Sequence, residues 1–129
     1  MKNYSINFIL LFVAITATMI SCKKLDGPVP STRALLTAKT WTATSFVNSG
    51  ITIPVIPGDC NGIVVQFTNA GAYYEGDGCS TPTISDSWTI SDKLITFGDA
   101  TIIQITSIDS KNMTITDPES GTVVYFTAN

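Results

Sequence analysis

The chain has 129 residues, of which 44% are apolar and 13% charged, and its seven cationic and ten acidic side chains give a net charge of −3. This balance argues against nucleic acid as a partner, because binding to phosphates needs clustered Lys and Arg. The length suits one domain with one modest core. The sequence contains no histidine, which removes the commonest general base.

The first 21 residues have the pattern of an export signal. A single cation, Lys2, precedes the uncharged and mostly apolar run Phe8 to Ile20. A helix needs about 20 apolar residues to span a bilayer, so this shorter run predicts a leader that is removed after export.

The residues around Cys22 resemble the lipobox of bacterial lipoproteins. Met19, Ile20 and Ser21 supply a large aliphatic, a tolerant and a small position before the cysteine. The resemblance implies cleavage before Cys22 and its lipidation, and two or three acyl chains make a stable membrane anchor. No retention aspartate follows the cysteine, which implies the outer membrane, with the domain facing the periplasm or the cell surface. The alternative is an ordinary secretory signal that contains a cysteine.

Removal of residues 1–21 takes away Lys2 and leaves six cations and ten acids, a net charge of −4. Residues 22–30 contain Gly and two prolines and predict a tether, and residues 31–129 form the predicted domain. Ser31 is placed to cap one or two helical turns in "STRALLTAK".

Beyond Thr40 the pattern is that of an antiparallel all-β domain. Short runs rich in Thr, Ile, Val and aromatic residues alternate with clusters of Asn, Asp, Gly, Ser and Pro. The predicted strands are 40–47, 62–68, 72–76, 83–90, 93–97, 100–108, 113–116 and 122–127.

Two cysteines remain in the domain, Cys60 and Cys79, and an exported protein can keep them oxidised. The turn in "FTNAGAY" places Gly71 in the left-handed position and pairs Phe67 with Tyr73. Continuing this ladder brings the cysteines nearly opposite each other, which predicts a disulfide. The alternative is two free thiols.

The order of a short helix, Trp41 opening the first strand, and eight successive strands including "SWTISDKLITF" at 87–97 resembles the lipocalin-like domains of Gram-negative bacterial lipoproteins. The resemblance implies an eight-stranded antiparallel up-and-down barrel with a short N-terminal helix. A two-sheet sandwich is the structural alternative.

An up-and-down barrel sorts the connections between two ends. Connections 48–61, 77–82, 98–99 and 117–121 share one end, called the mouth, and the helix and the tighter turns share the closed end. The loops of the mouth supply the predicted binding residues, which are Ile51, Ile53, Val55, Ile56, Asp59, Glu75, Asp77, Asp117 and Glu119. The isoleucine-rich segment is interpreted as a lid or plug, or as a patch for a partner. The acids favour a cation over an anionic ligand, although turns also use aspartate for their own geometry.

Catalysis has no motif to support it. The domain has no Gly-x-Ser-x-Gly elbow, and "EGDG" at 75–78 lacks the ligand run of a calcium loop, so no cofactor, metal or catalytic residue is predicted.

The sequence predicts a lipid-anchored binding protein for a small hydrophobic or cationic ligand. The alternative is a non-catalytic envelope lipoprotein with a filled barrel that binds an envelope protein. Candidates to fill the interior are Trp41, Phe67, Tyr73, Trp88, Ile90, Met113 and Phe126.

Overall fold

A computed structural model describes residues 27–129, so the predicted signal peptide, Cys22 and the first part of the predicted tether lie outside the described residues. Within this range the secondary structure consists of one short helix followed by strands. The elements are α1 (Thr32–Thr37), β1 (Thr40–Asn48), β2 (Ile51–Pro54), β3 (Val64–Phe67), β4 (Ala72–Gly76), β5 (Thr83–Ser91), β6 (Leu94–Phe97), β7 (Ile102–Ile108), β8 (Asn112–Thr116) and β9 (Val123–Ala128).

The strands form one closed antiparallel sheet. Neighbours in the order β1-β3-β4-β5-β6-β7-β8-β9 are hydrogen-bonded, and β9 pairs back onto β1. The ring therefore contains eight strands, and closure into a single ring rules out the two-sheet sandwich. The predicted eight-stranded up-and-down barrel with a short N-terminal helix is confirmed.

Strand β2 is an addition that the sequence interpretation did not include. Ser49 and Gly50 both have positive φ, 51° and 78°, as the two central residues of a tight hairpin turn require. β2 consequently folds back along the second half of β1, while β3 pairs with the first half. The long connection at 48–61 is thus a hairpin followed by a shorter loop, residues 55–63, which connects β2 to β3.

The core consists of the side chains that point into the ring. Predicted interior residues Trp41, Phe67, Trp88, Met113 and Phe126 are buried. Tyr73 and Ile90 are partly buried against them, so all seven predicted interior residues contribute to the core. No side chain in the buried core is polar or charged among the described residues.

Helix α1 closes one end of the barrel. The Ser31 side chain accepts a hydrogen bond from the backbone of Ala34, which confirms the predicted cap. Leu36 is fully buried under the barrel, and the Trp41 indole N–H donates to the Leu36 carbonyl at 3.0 Å. Because the indole N–H is satisfied there, Trp41 fills the closed end without leaving a buried donor unpaired.

Candidate functional site

A cavity of about 190 Å³ lies inside the barrel on the mouth side of the buried core. An engineered apolar cavity of about 150 Å³ accommodates a benzene molecule, so this space suits one ring or a short chain. The cavity is bounded by side chains from six strands and the residue before β3. They are Ile63, Val65, Phe67, Tyr73, Glu75, Phe97, Ile103, Ile115, Val124 and Phe126.

Eight of these ten residues are apolar, and the remaining two are neighbours on β4. Tyr73 and Glu75 are two positions apart on one strand, so both side chains point to the same face. The Tyr73 hydroxyl donates to Glu75 Oε2 at 2.8 Å. A carboxylate can accept several hydrogen bonds, so this contact leaves Glu75 free to accept more.

The environment keeps the Tyr73 hydroxyl protonated. Burial raises the pKa of Tyr73 far above its usual value, and the hydrogen bond and negative charge of Glu75 raise this pKa further. The ring of Tyr73 is held between Phe67 and Phe97, with centroid distances of 5.1 and 4.9 Å. Tyr73 is therefore a fixed donor to Glu75, and Glu75 is an exposed carboxylate at the edge of an apolar space.

The segment that the sequence interpretation treated as a lid forms the rim instead. Ile53 lies opposite Phe46, and Ile51 lies opposite Asn48, so both isoleucines face the inner side of the β1–β2 hairpin. They remain 54% and 65% exposed, and Ile56 is 64% exposed. The lid or plug interpretation is therefore wrong for Ile51–Pro54, which pair with β1 and extend the wall of the barrel, whereas Val55 packs against the core.

A smaller hollow of about 170 Å³ lies against this hairpin. Its lining includes four of the predicted binding residues, which are Ile53, Val55, Ile56 and Asp59. Phe46, which also lines the hollow, pairs across the sheet with Val124 of the cavity wall. Apolar surface thus continues from the cavity toward β2.

The predicted disulfide between Cys60 and Cys79 is present, with the two Cα atoms 5.2 Å apart. It ties the loop at 55–63 to the connection between β4 and β5. Both loops border the mouth beside Glu75, so the bond restricts their movement relative to the cavity.

Two of the predicted binding carboxylates hold turns together. Asp77 Oδ1 accepts hydrogen bonds from the backbone of Cys79 and from the backbone and hydroxyl of Ser80. Asp117 accepts from the Ser120 hydroxyl and the Glu119 backbone. These bonds favour the charged form and lower the pKa of each aspartate, chiefly through the Cys79 N–H at Asp77 and the Ser120 hydroxyl at Asp117.

The charges are divided between the ends of the barrel. All four cations in residues 27–129 lie toward the closed end, in α1, before β1, and in the turns after β5 and β7; they are Arg33, Lys39, Lys93 and Lys111. Arg33 lies 4.7 Å from the ring centre of Trp88. Asp92 and Asp109 share these turns, so the closed end carries mixed charge, whereas the mouth is acidic.

Wider hollows on the outside of the barrel reach about 380 Å³. The largest of them includes Glu75 but is otherwise formed by turns and strand ends such as Gly76, Asp77 and Thr83, and it lies open to solvent. The interior cavity, with its apolar walls and paired polar groups, is the better candidate for a binding site.

Comparison of the chain with protein-family models, curated proteins and solved structures found no match. The lipocalin-like resemblance thus stays a prediction. Within residues 27–129, no helix combines the length and the apolar character needed to cross a membrane.

Of the predicted binding residues, Glu75 alone lines the interior cavity. Ile51, Asp77, Asp117 and Glu119 lie outside both the cavity and the hollow beside β2. The sequence interpretation missed Tyr73 as the partner of Glu75. Their spacing of two residues on a predicted strand was the available signal, since it places both on one face.

Proposed function

We propose that this chain is an exported, lipid-anchored barrel protein that binds a small, largely apolar ligand inside the mouth of its barrel. The observation that supports the proposal is the interior cavity of about 190 Å³ with Tyr73 and Glu75 at its edge. An apolar space with a few placed polar groups is the usual form of a small-molecule site. We propose no catalytic residue and no cofactor.

The fold supplies a reason for the site's position. Trp41, Trp88 and Leu36 fill the closed end. The walls of the mouth half include Ile63, Ile103 and Val124, which are smaller than the tryptophans and partly exposed. A barrel of eight strands has room for side chains or for one small ligand. Ligand binding is therefore expected in the mouth half, where side chains leave space.

Two adjacent isoleucines provide a matched test of this proposal. Ile103 lines the cavity, and Ile102 on the opposite face of β7 is 46% exposed. Benzyl alcohol titrated into the purified full chain should show saturable binding by calorimetry, with shifts of the Ile103 and Val124 methyl signals. Ile103→Phe should abolish this binding by filling the cavity, and Ile102→Phe should retain it. Absence of binding in the parent, or equal binding by both variants, would contradict the proposal.

The proposed location is the outer membrane, with Cys22 as the lipidated residue. Helix α1 lies at the closed end, so a tether that enters there would point the mouth away from the bilayer. Replacement of Cys22 by Ser should move the protein from the membrane fraction to the soluble fraction. Unchanged membrane fractionation would defeat the anchor. The lipocalin-like assignment is likewise our proposal, and the sequential order of the eight ring strands supports it.

A second candidate function is a protein-interaction module that uses the β1–β2 hairpin. The observation that favours it is the exposure of Ile51 and Ile53 on an extra strand that pairs with β1 alone, and of Ile56 in the loop that follows this strand. Unpaired edges and exposed apolar side chains are both features of strand-pairing surfaces. Crosslinking in intact cells should lose a specific adduct on Ile51→Ser/Ile53→Ser and keep it on Ile103→Phe. The reverse result would favour the cavity as the functional site.

A further inference from the structure

We infer that the barrel cavity selects a small amine in its ammonium form, with the positive group at Glu75 and an apolar body against Phe67, Phe97 and Val124. The inference rests on the proposed function, since it specifies which chemical class the interior site accepts. It is carried by the shape of the cavity and by the polar groups at its edge.

The size of the cavity limits the apolar part of the ligand. About 190 Å³ accommodates a single ring or a short branched chain, and it is too small for an extended acyl chain. The walls that the body would contact are apolar, and Phe67 and Phe97 present rings 6.5 Å apart. A compact ring or branched chain therefore fits better than a lipid tail.

The polar edge defines the group that the ligand must carry. The Tyr73 hydroxyl is already committed as a donor to Glu75, so the pair presents oxygen lone pairs and a negative charge to the cavity. A ligand that meets this edge must donate hydrogen bonds. An ammonium group donates up to three and also neutralises the charge, whereas a hydroxyl donates one and leaves the charge in place.

The wall supplies no cation of its own at this position. The four cationic residues of the described chain lie toward the closed end, and the ten cavity residues include none of them. An anionic ligand would place its charge near Glu75 without a compensating group, which is unfavourable.

The acidic residues at the rim of the mouth also favour a cationic ligand, and they act over a longer distance than Glu75. Asp77, Asp117 and Glu119 surround the mouth and are exposed or half-exposed. A negative potential at the entrance raises the local concentration of cations and lowers that of anions. Water and salt screen these charges, and Glu75 is itself exposed, so the expected preference for an amine is about fivefold and declines as salt is added.

The test compares three probes of nearly equal size that differ in charge. Benzylamine, benzyl alcohol and benzoate are titrated separately into the purified full chain at pH 7, where benzylamine is an ammonium ion and benzoate an anion. We expect benzylamine to bind about five times more tightly than benzyl alcohol, and benzoate to bind most weakly. Added salt should reduce the advantage of benzylamine and leave benzyl alcohol unchanged.

Two variants that each remove one carboxylate charge show which residue produces the preference for benzylamine. Glu75→Gln keeps an oxygen acceptor but removes the charge, so it should reduce the affinity for benzylamine to about the affinity for benzyl alcohol measured on the same variant. Glu119→Gln removes an equal charge from the rim outside the cavity and should keep most of the preference for benzylamine.

The possible results distinguish selection of an amine from ligand binding in the cavity, which is the proposed function. Equal binding of benzylamine and benzyl alcohol, tighter binding of benzoate, or a preference that survives in Glu75→Gln would overturn selection for an amine, while ligand binding itself would stand. Failure of all three probes to bind would overturn the proposed function and this inference with it.

Discussion

The disulfide between Cys60 and Cys79 should contribute a large share of the stability of this domain. It links residues separated by 19 positions. In the chain-entropy relation, a ring of this size removes about 11 cal/mol/K from the unfolded chain, or about 3 kcal/mol at 25 °C. Because both cysteines are exposed, replacing them with serine creates no cavity and buries no polar group, so this entropy is the main term lost.

The double variant Cys60→Ser/Cys79→Ser should unfold about 3 kcal/mol more easily than the parent chain. For a domain near 100 residues this corresponds to a decrease in Tm of about 12 to 24 °C. Urea and thermal unfolding followed by circular dichroism measure both quantities, and the parent chain in excess dithiothreitol should reproduce the variant. A loss below about 1 kcal/mol, or a reduced parent that keeps its full Tm, would refute the entropic account.

Three further predictions concern the closed end, the mouth and pH. Leu36→Ala should cost about 2 to 5 kcal/mol in urea unfolding because the side chain is fully buried, whereas Val29→Ala, at a 90% exposed position, should stay within about 0.5 kcal/mol. Gly98→Ala should lower the Tm, since the added Cβ would collide with the Asp86 carboxylate, which hydrogen bonds from the backbone N–H groups of Ser87 and Asp99 hold in place; an unchanged Tm would contradict this prediction. The pKa of Asp117 is lowered below 3.8 in the folded chain, so its contribution to stability is complete above about pH 5 and is lost as the pH falls through the folded value. The Tm measured against pH should therefore decrease below about pH 4, and Asp117→Asn should make that decrease shallower.

The strand pattern of this chain was predictable because its turns carry strong local signals. Gly71, with φ of 84°, fixes the turn between β3 and β4, and the predicted pairing of Phe67 with Tyr73 is the one in the structure. This register also brings Cys60 near Cys79. The alternation of apolar and polar residues along each strand then identified the interior side chains, since successive side chains point to opposite faces of the sheet.

Strand β2 was not predicted because its apolar residues do not become buried. Ile51 and Ile53 alternate with Thr52 and Pro54 as a strand requires, but a prediction based on burial interprets such residues as plugging a core. The polar run Asn48-Ser49-Gly50 was the better signal, because Gly50 readily adopts the positive φ that a tight hairpin turn requires.

The cavity itself could not be derived from the sequence. A list of inward residues gives the volume of the side chains but not the volume of the ring that surrounds them. The bulges in the pairing of β1 with β9, β4 with β5, and β7 with β8 alter the local curvature of the wall. The space near Tyr73 and Glu75 depends on that curvature, so the sequence indicated Glu75 as a rim acid but not the partner that orients it.

The closure of the ring by β1 and β9 imposes an order on folding. The side chains of Asn129 and Thr42 meet at 2.7 Å although 87 residues separate them. One edge of β1 stays unpaired until β9, near the other end of the described chain, has joined the sheet. Such distant pairing slows folding and leaves an edge open to other chains for that interval, so a chaperone that shields β1 would be needed most while the barrel is still incomplete.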